Sequence, residues 1–146
     1  MEVSTNPIGS VTIAGRVFSK GEIPLILYAT ATTGGHTTLK KGDFSYYQVP
    51  VGKKLLIKAI SILSAGVDNT RDNHLRIFHS DASVEDSGAP SGVAFLWTNT
   101  YGFQLGGKYN TEIYVNFEIP AGKYVGAKAG NGAIFSTIYY CEEVDV

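Results

Sequence analysis

The sequence predicts an all-β fold, an antiparallel β-sandwich of jelly-roll type with about eight or nine strands and little or no helix. Three observations predict it. No long window repeats its apolar residues at spacings of three and four, which a buried helical face requires. Short apolar or alternating runs are instead separated by clusters of glycine, asparagine, aspartate and serine, the pattern of a sandwich or barrel. Seventeen glycines and nine tyrosines among 146 residues favour strands joined by tight turns.

In chain order, residues 1–10 carry no period and read as an N-terminal arm. Strands are expected at Val11–Phe18, Pro24–Ala31, Phe44–Val49, Lys54–Leu63, His74–His79, Val93–Thr98, Thr111–Ile119, Lys123–Ala129 and Ala133–Cys141. Thr111–Ile119 is the cleanest, because Ile113, Val115, Phe117 and Ile119 alternate with Glu112, Tyr114, Asn116 and Glu118, leaving one face buried and the other wet. Turn formers dominate Thr32–Gly35, Val67–Asn73, Ser80–Gly92 and Thr98–Asn110, which read as loops. Ser80–Gly92 has the composition of an exposed excursion. The expected organisation is the arm (1–10), one jelly-roll domain (11–141) and a short acidic C-terminal tail (142–146). A chain of this length can build a core without disulfides.

One pattern is more specific than composition. Gln48-Val49-Pro50-Val51-Gly52-Lys53 is echoed by Glu118-Ile119-Pro120-Ala121-Gly122-Lys123, and Lys58-Ala59 by Lys128-Ala129. Each copy reads as a strand, a four-residue turn with proline second and glycine fourth, and a further strand, as two stacked Greek keys would show. The repeated Pro-x-Gly-Lys turn, with the closing strand Phe135-Ser136-Thr137-Ile138-Tyr139-Tyr140 and its acidic end, resembles the turns of compact β-sandwich proteins in tailed-phage particles, notably head decoration or cement proteins and tail-fibre modules. The resemblance covers mainly residues 44–63 and 111–146. It implies a virion role without choosing between capsid and tail; a place on the capsid surface, after synthesis in a host cytoplasm, is the expected one of the two. It also implies a major capsid protein as partner and a homo-oligomer, a trimer at symmetry axes being a frequent form.

Charge narrows the partners. Twelve basic and thirteen acidic residues nearly cancel, and no cationic run exceeds the pairs Lys40-Lys41 and Lys53-Lys54. Neither nucleic acid nor an anionic membrane surface is therefore expected. No apolar stretch approaches a membrane span, and Met1–Pro7 lack the basic-then-apolar order of a secretory signal. The single cysteine, Cys141, allows no intrachain disulfide and reads as a small apolar residue of the last strand.

Reading for chemistry gives no catalytic constellation. His74 and His79 lie five apart on one expected strand, hence on opposite faces, and His36 stands in a turn-rich loop, so no metal site is expected and the histidines read as surface or hydrogen-bonded. No Gly-x-Ser-x-Gly turn occurs, while Gly34-Gly35 and Gly130-Asn131-Gly132 lead into no helix and read as hairpin turns rather than phosphate loops. Glu112 and Glu118 share a face but stand about 20 Å apart along an extended strand, too far for glycoside hydrolysis. Asp68, Asp72, Asp81, Glu85 and Asp86 lack the spacing of a calcium loop and read as solvated. Neither enzyme activity nor a cofactor is expected.

Contact remains. In Tyr46-Tyr47 and Tyr139-Tyr140 alternation sends one ring to each face, so one of each pair points outward, which suits a protein interface or a sugar platform. Partner contacts are expected from the arm (Val3, Pro7 and Ile8), from Tyr101 and Phe103 in the loop after the Val93–Thr98 strand, and from Val144 and Val146 in the tail. The expected function is a capsid decoration protein that binds the outside of a viral head and stabilises the shell by bridging neighbouring subunits. A tail-fibre or receptor- and carbohydrate-binding module is the alternative.

Overall fold

A computed structural model describes residues 11–13, 16–18, 25–66, 73–101, 110–130 and 133–146. Those residues form strands and turns without a helix: β1 (Val11–Ile13), β2 (Arg16–Phe18), β3 (Leu25–Ala31), β4 (Thr37–Thr38), β5 (Lys53–Gly66), β6 (Asn73–Ser80), β7 (Ala94–Tyr101), β8 (Asn110–Ile119), β9 (Tyr124–Gly130) and β10 (Ile134–Asp145). One four-stranded sheet has the order β3-β10-β5-β8 and a second the order β4-β9-β6-β7. All ladders are antiparallel, and they nest: β3 with β10, β4 with β9, β5 with β8, β6 with β7. Ladders of β10 with β5 and β9 with β6 complete the sheets.

The core lies between the sheets because alternation delivers apolar residues there from both sides. Buried contributions come from Leu55, Ile57, Ile60 and Ile62 of β5, Leu75 and Ile77 of β6, Val125, Ala127 and Ala129 of β9, and Phe135, Tyr139 and Cys141 of β10. Within β5 the inward parity switches between Ile57 and Ile60. Opposite β10 one residue is extra there, since Ile57 faces Cys141 and Ala59 faces Tyr140; the bulge at Lys58 keeps both apolar pairs inside. A second bulge makes Leu96 the extra residue of β7, and Leu96 and Trp97 both pack against the core. The alternation expected along Thr111–Ile119 is present, with Ile113, Val115 and Phe117 only partly buried because β8 is an edge strand.

Several boundaries differ from the sequence reading. Val11–Phe18 is two short strands, Val11–Ile13 and Arg16–Phe18, paired with each other. Phe44–Val49 is not a strand, and Tyr46 and Gln48 make only isolated bridges, to Lys40 and Tyr124. The cause is Phe44, whose φ of 66° no strand continues through. Tyr101 is not in a loop but ends β7, opposite Asn73. Gly34-Gly35 is not a hairpin turn, since it links β3 to β4 in different sheets. Residues 142–145 continue β10 rather than hang free, and Val146 N–H donates to Gly52 O at 3.1 Å. Lys58–Glu142 (3.1 Å) and Lys53–Asp145 (2.6 Å) pairs hold this end, and the buried Tyr47 hydroxyl donates to Glu143 Oε2 at 2.6 Å.

The echoed turns lie side by side, Val49 N–H donating to Lys123 O at 2.9 Å and Gly122 N–H to Val49 O at 2.8 Å. In each, the closing bond runs from the lysine N–H to the proline carbonyl, 3.1 Å for Lys53 to Pro50 and 3.4 Å for Lys123 to Pro120. Proline is thus first and glycine third, not second and fourth. Gly52 and Gly122 have φ of 80° and 82°, which a type II turn requires at its third residue.

Candidate functional site

Chemistry-bearing side chains are dispersed. Among the described residues no group of three or more histidine, cysteine, aspartate or glutamate side chains could hold a metal ion. Cys141 is buried and desolvation pushes its thiol pKa up, which keeps it protonated and unreactive. The loop acids are exposed, as expected, and each also has a partner: Asp81 pairs with Lys123, Glu85 with Lys40, and Asp86 Oδ1 accepts from Thr32 Oγ1 at 2.6 Å. Asp68 and Asp72 lie outside the described residues.

These ties also revise Ser80–Gly92, which is a strap and not a free excursion. His36 N–H donates to Ser87 O at 2.7 Å, Thr38 N–H to Val84 O at 2.9 Å, and Val84 N–H to Thr38 Oγ1 at 2.9 Å, so residues 84–87 run along the edge of β4. Gly35 makes this approach possible, because a Cβ there would collide with the Ser87 backbone.

A cleft of about 710 Å³ opens between this strap and β3. Tyr28, Thr30, Ser136 and Ile138 line one side, and Thr38, Lys40, Glu85 and Asp86 contribute the polar groups. Phe44 belongs to the same lining yet is 83% exposed. Its turn is closed by the Phe44 N–H to Lys41 O bond (2.9 Å), and Ser45 donates N–H and Oγ–H to Asp43 Oδ1 at 3.0 and 2.6 Å. Those two bonds hold the Asp43 carboxyl below its ordinary pKa. A bulky residue with left-handed φ costs about 1–2 kcal/mol, and Phe44 recovers none of it through burial. Lys40 Nζ stands 5.5 Å from the Tyr46 ring centroid. The arrangement offers aromatic faces, hydroxyls and two acid-bearing hydrogen-bonded pairs, a set suited to holding a polar ligand.

The outer face of the β3-β10-β5-β8 sheet is ordered in cross-strand rows: Ile26, Tyr140, Ala59, Tyr114; Tyr28, Ile138, Ser61, Glu112; and Thr30, Ser136, Leu63, Asn110. Tyr28, Leu63 and Tyr114 stay exposed while Tyr47 and Tyr139 point into the core, as the alternation of the tyrosine pairs requires. Charges on this face cancel locally, through Lys54–Glu118 and Lys58–Glu142, both 3.1 Å.

On the other sheet the outward residues of β6 are His74, Arg76 and Phe78, and their β9 partners are Gly130, Lys128 and Gly126. A Cβ on Gly130 would collide with the His74 ring, and one on Gly126 with the Phe78 ring and the Thr37 carbonyl. The two rings therefore lie over bare backbone on either side of Lys128. His36 packs edge-on against Phe78 with ring centroids 5.1 Å apart, and Arg76 lies 5.5 Å over the exposed ring of Phe95. Burial above all, then Lys128 and Arg76, holds the His36 pKa below the ordinary histidine value; for His74 the causes are burial, then Arg76 and Lys128. His79, on the core-facing side as the five-residue spacing requires, is lowered by burial and Lys123. Nδ1 of His36 and of His79 is buried with no hydrogen-bond partner among the described residues. Both rings are packed against their neighbours, His36 also hydrogen-bonding the Ser87 backbone and His79 remaining partly exposed.

The residues expected to meet a partner are not gathered in one place. Val3, Pro7, Ile8 and Phe103 lie outside the described residues. Tyr101 belongs to the β4-β9-β6-β7 sheet, whereas half-buried Val144 faces Lys54 in the other sheet and exposed Val146 stands beside Ile119, Pro120 and Ala121. Sequence reasoning missed the cleft, whose parts come from distant segments, and it missed the Arg76–Lys128 pairing. The alternation of Gly126, Lys128 and Gly130 against Val125, Ala127 and Ala129 is the signal that marks Lys128 as outward. No family model matches the chain, and comparison with curated proteins and with solved structures also gives no match.

Proposed function

We propose that this protein is a non-catalytic structural component of a virion: a capsid decoration protein, made in a host cytoplasm, that binds the outside of the head and bridges neighbouring shell subunits as a homo-oligomer. Its sandwich reads as a jelly roll. Numbered in chain order from β3, its strands pair first with last, second with seventh, third with sixth and fourth with fifth, which is the order of a long hairpin rolled into two Greek keys. The observation that carries the functional reading is the outer face of the β3-β10-β5-β8 sheet, where Tyr28, Tyr114, Ile138 and Tyr140 form a partly exposed apolar field whose flanking charges are neutralised in pairs. Aromatic, charge-depleted surface is the composition of an interface centre. Shells assembled with and without the protein test the reading: those lacking it should open at lower temperature, and identical melting contradicts it.

A second reading, a receptor- or carbohydrate-binding module of a tail, is favoured by the cleft with Phe44 and Tyr28. Glycan-array binding that disappears in Phe44→Ala supports this reading, and a blank array counts against it.

A further inference from the structure

The cationic side chains of the described core divide sharply. Lys40, Lys53, Lys54, Lys58 and Lys123 each form an ion pair with a carboxylate. Lys41, Arg76 and Lys128 form none among the described residues, and of these Arg76 and Lys128 are direct cross-strand partners on the same face of the β4-β9-β6-β7 sheet. Like charges placed opposite one another in a sheet repel and destabilise it. Lys128 stands between two glycines, Gly126 and Gly130, so no side chain of its own strand flanks it on this face. Around the pair the surface is walled, not flat: the rings of His74 and Phe78 occupy the space over Gly130 and Gly126, and the exposed Phe95 ring lies beneath the Arg76 guanidinium. His74, on the same face, can add a further donor from its ring.

We infer that this face holds an oxyanion group, a sulfate, phosphate or carboxylate, seated between the Arg76 guanidinium and the Lys128 ammonium beside the His74 ring. The guanidinium supplies a planar pair of donors matched to two oxygens, and the lysine supplies a point charge. Bound there, the anion cancels the repulsion that the bare face carries. The inference is independent of the decoration role, since it rests on the opposite sheet from the one that carries that role.

The test is a titration of the whole chain with sodium sulfate, followed by the ring resonances of His74 and His36 in NMR spectra, with sodium chloride at equal ionic strength as the reference. Saturable shifts specific to sulfate are expected. Lys128→Gln and Arg76→Gln should each weaken binding roughly tenfold, the loss of one charge-assisted contact, and Lys54→Gln on the other sheet should bind as the parent does. Two variants guard against loss of folding in one of them, which the dispersion of core methyl signals reports. Dextran sulfate separates the sources: affinity per sulfate well above that of the free ion assigns the group to a polymer, and equal affinity assigns it to a single ion. Shifts reproduced by chloride, or undiminished in folded Lys128→Gln and Arg76→Gln, overturn the site.

Discussion

On the β3-β10-β5-β8 sheet Lys54 and Lys58 meet Glu118 and Glu142, and tyrosine and isoleucine fill the rows between them; on the β4-β9-β6-β7 sheet Arg76 and Lys128 confront each other with no described carboxylate to answer them. Exposed ion pairs contribute about 0–1 kcal/mol to stability, so the pairing on the first face matters less for folding than for what the face can meet. A surface whose charges are already matched sheds water against a protein partner at small cost, whereas an unmatched cationic pair resists burial unless the partner brings negative charge. Two faces of one small sandwich thus differ in the partners that they could meet at small cost.

That comparison is easiest to break on the neutral face. Ile138→Glu places an unpaired carboxylate in the middle row, between Tyr28 and Ser61; it should weaken attachment to the shell by about 3 kcal/mol or more while barely moving the isolated protein's own melting. Particle-binding isotherms of the two proteins check it, and unchanged affinity would remove this face from the account. The next effect is on folding. Gly126→Ala drives a methyl group into the Phe78 ring and the Thr37 carbonyl, and should cost about 1–3 kcal/mol in urea unfolding, since the β4 backbone cannot yield as a flexible side chain would.

A shallower effect probes the histidines packed on and against the β4-β9-β6-β7 sheet through pH. His36, His74 and His79 have folded pKa values below the ordinary 6.5. Above 6.5 their rings are neutral in both states and contribute nothing. As pH falls through 6.5 the unfolded chain takes up protons that the folded chain refuses, so stability declines until the folded pKa values are passed. Asp43 and Asp145, held below the ordinary 3.8 by Ser45 and by Lys53, contribute stability that is present above 3.8 and lost only further down. Denaturation midpoints measured between 6.5 and 3.8 therefore report mainly the histidines, and a flat profile there would contradict their burial. The smallest change sharpens the contrast at the cleft: Phe44→Asn relieves the left-handed φ and should raise stability by about 0.5–1 kcal/mol, visible as a higher melting temperature.

The all-β class was legible because turn formers and short alternating runs leave no room for a helical period, and Thr111–Ile119 shows its buried face directly in the residues. What escaped depends on contacts between distant segments. Nothing near Phe44 announces a positive φ; it follows from the turn that Lys41, Asp43 and Ser45 close around it. Glu142, Glu143 and Asp145 look like a solvated tail until Lys58, Tyr47 and Lys53 are seen beside them. Ser80–Gly92 has loop composition, yet its backbone is bound to His36 and Thr38. The Arg76–Lys128 confrontation needs the register of β6 against β9, which alternation alone does not supply. The echoed Pro-x-Gly turns were visible, but their adjacency and the one-residue shift of the turn frame came only from the hydrogen bonds.

The central claim is that the β3-β10-β5-β8 sheet presents the attachment face. Hydroxyl-radical footprinting of the protein free and bound to intact particles tests it most directly, because tyrosine and phenylalanine report their own exposure. Tyr28 and Tyr114, 42% and 53% exposed in the free chain, should become protected on the particle, while Phe95 on the opposite sheet, 47% exposed, stays labelled. Protection of Phe95 with Tyr28 and Tyr114 unchanged would contradict the claim.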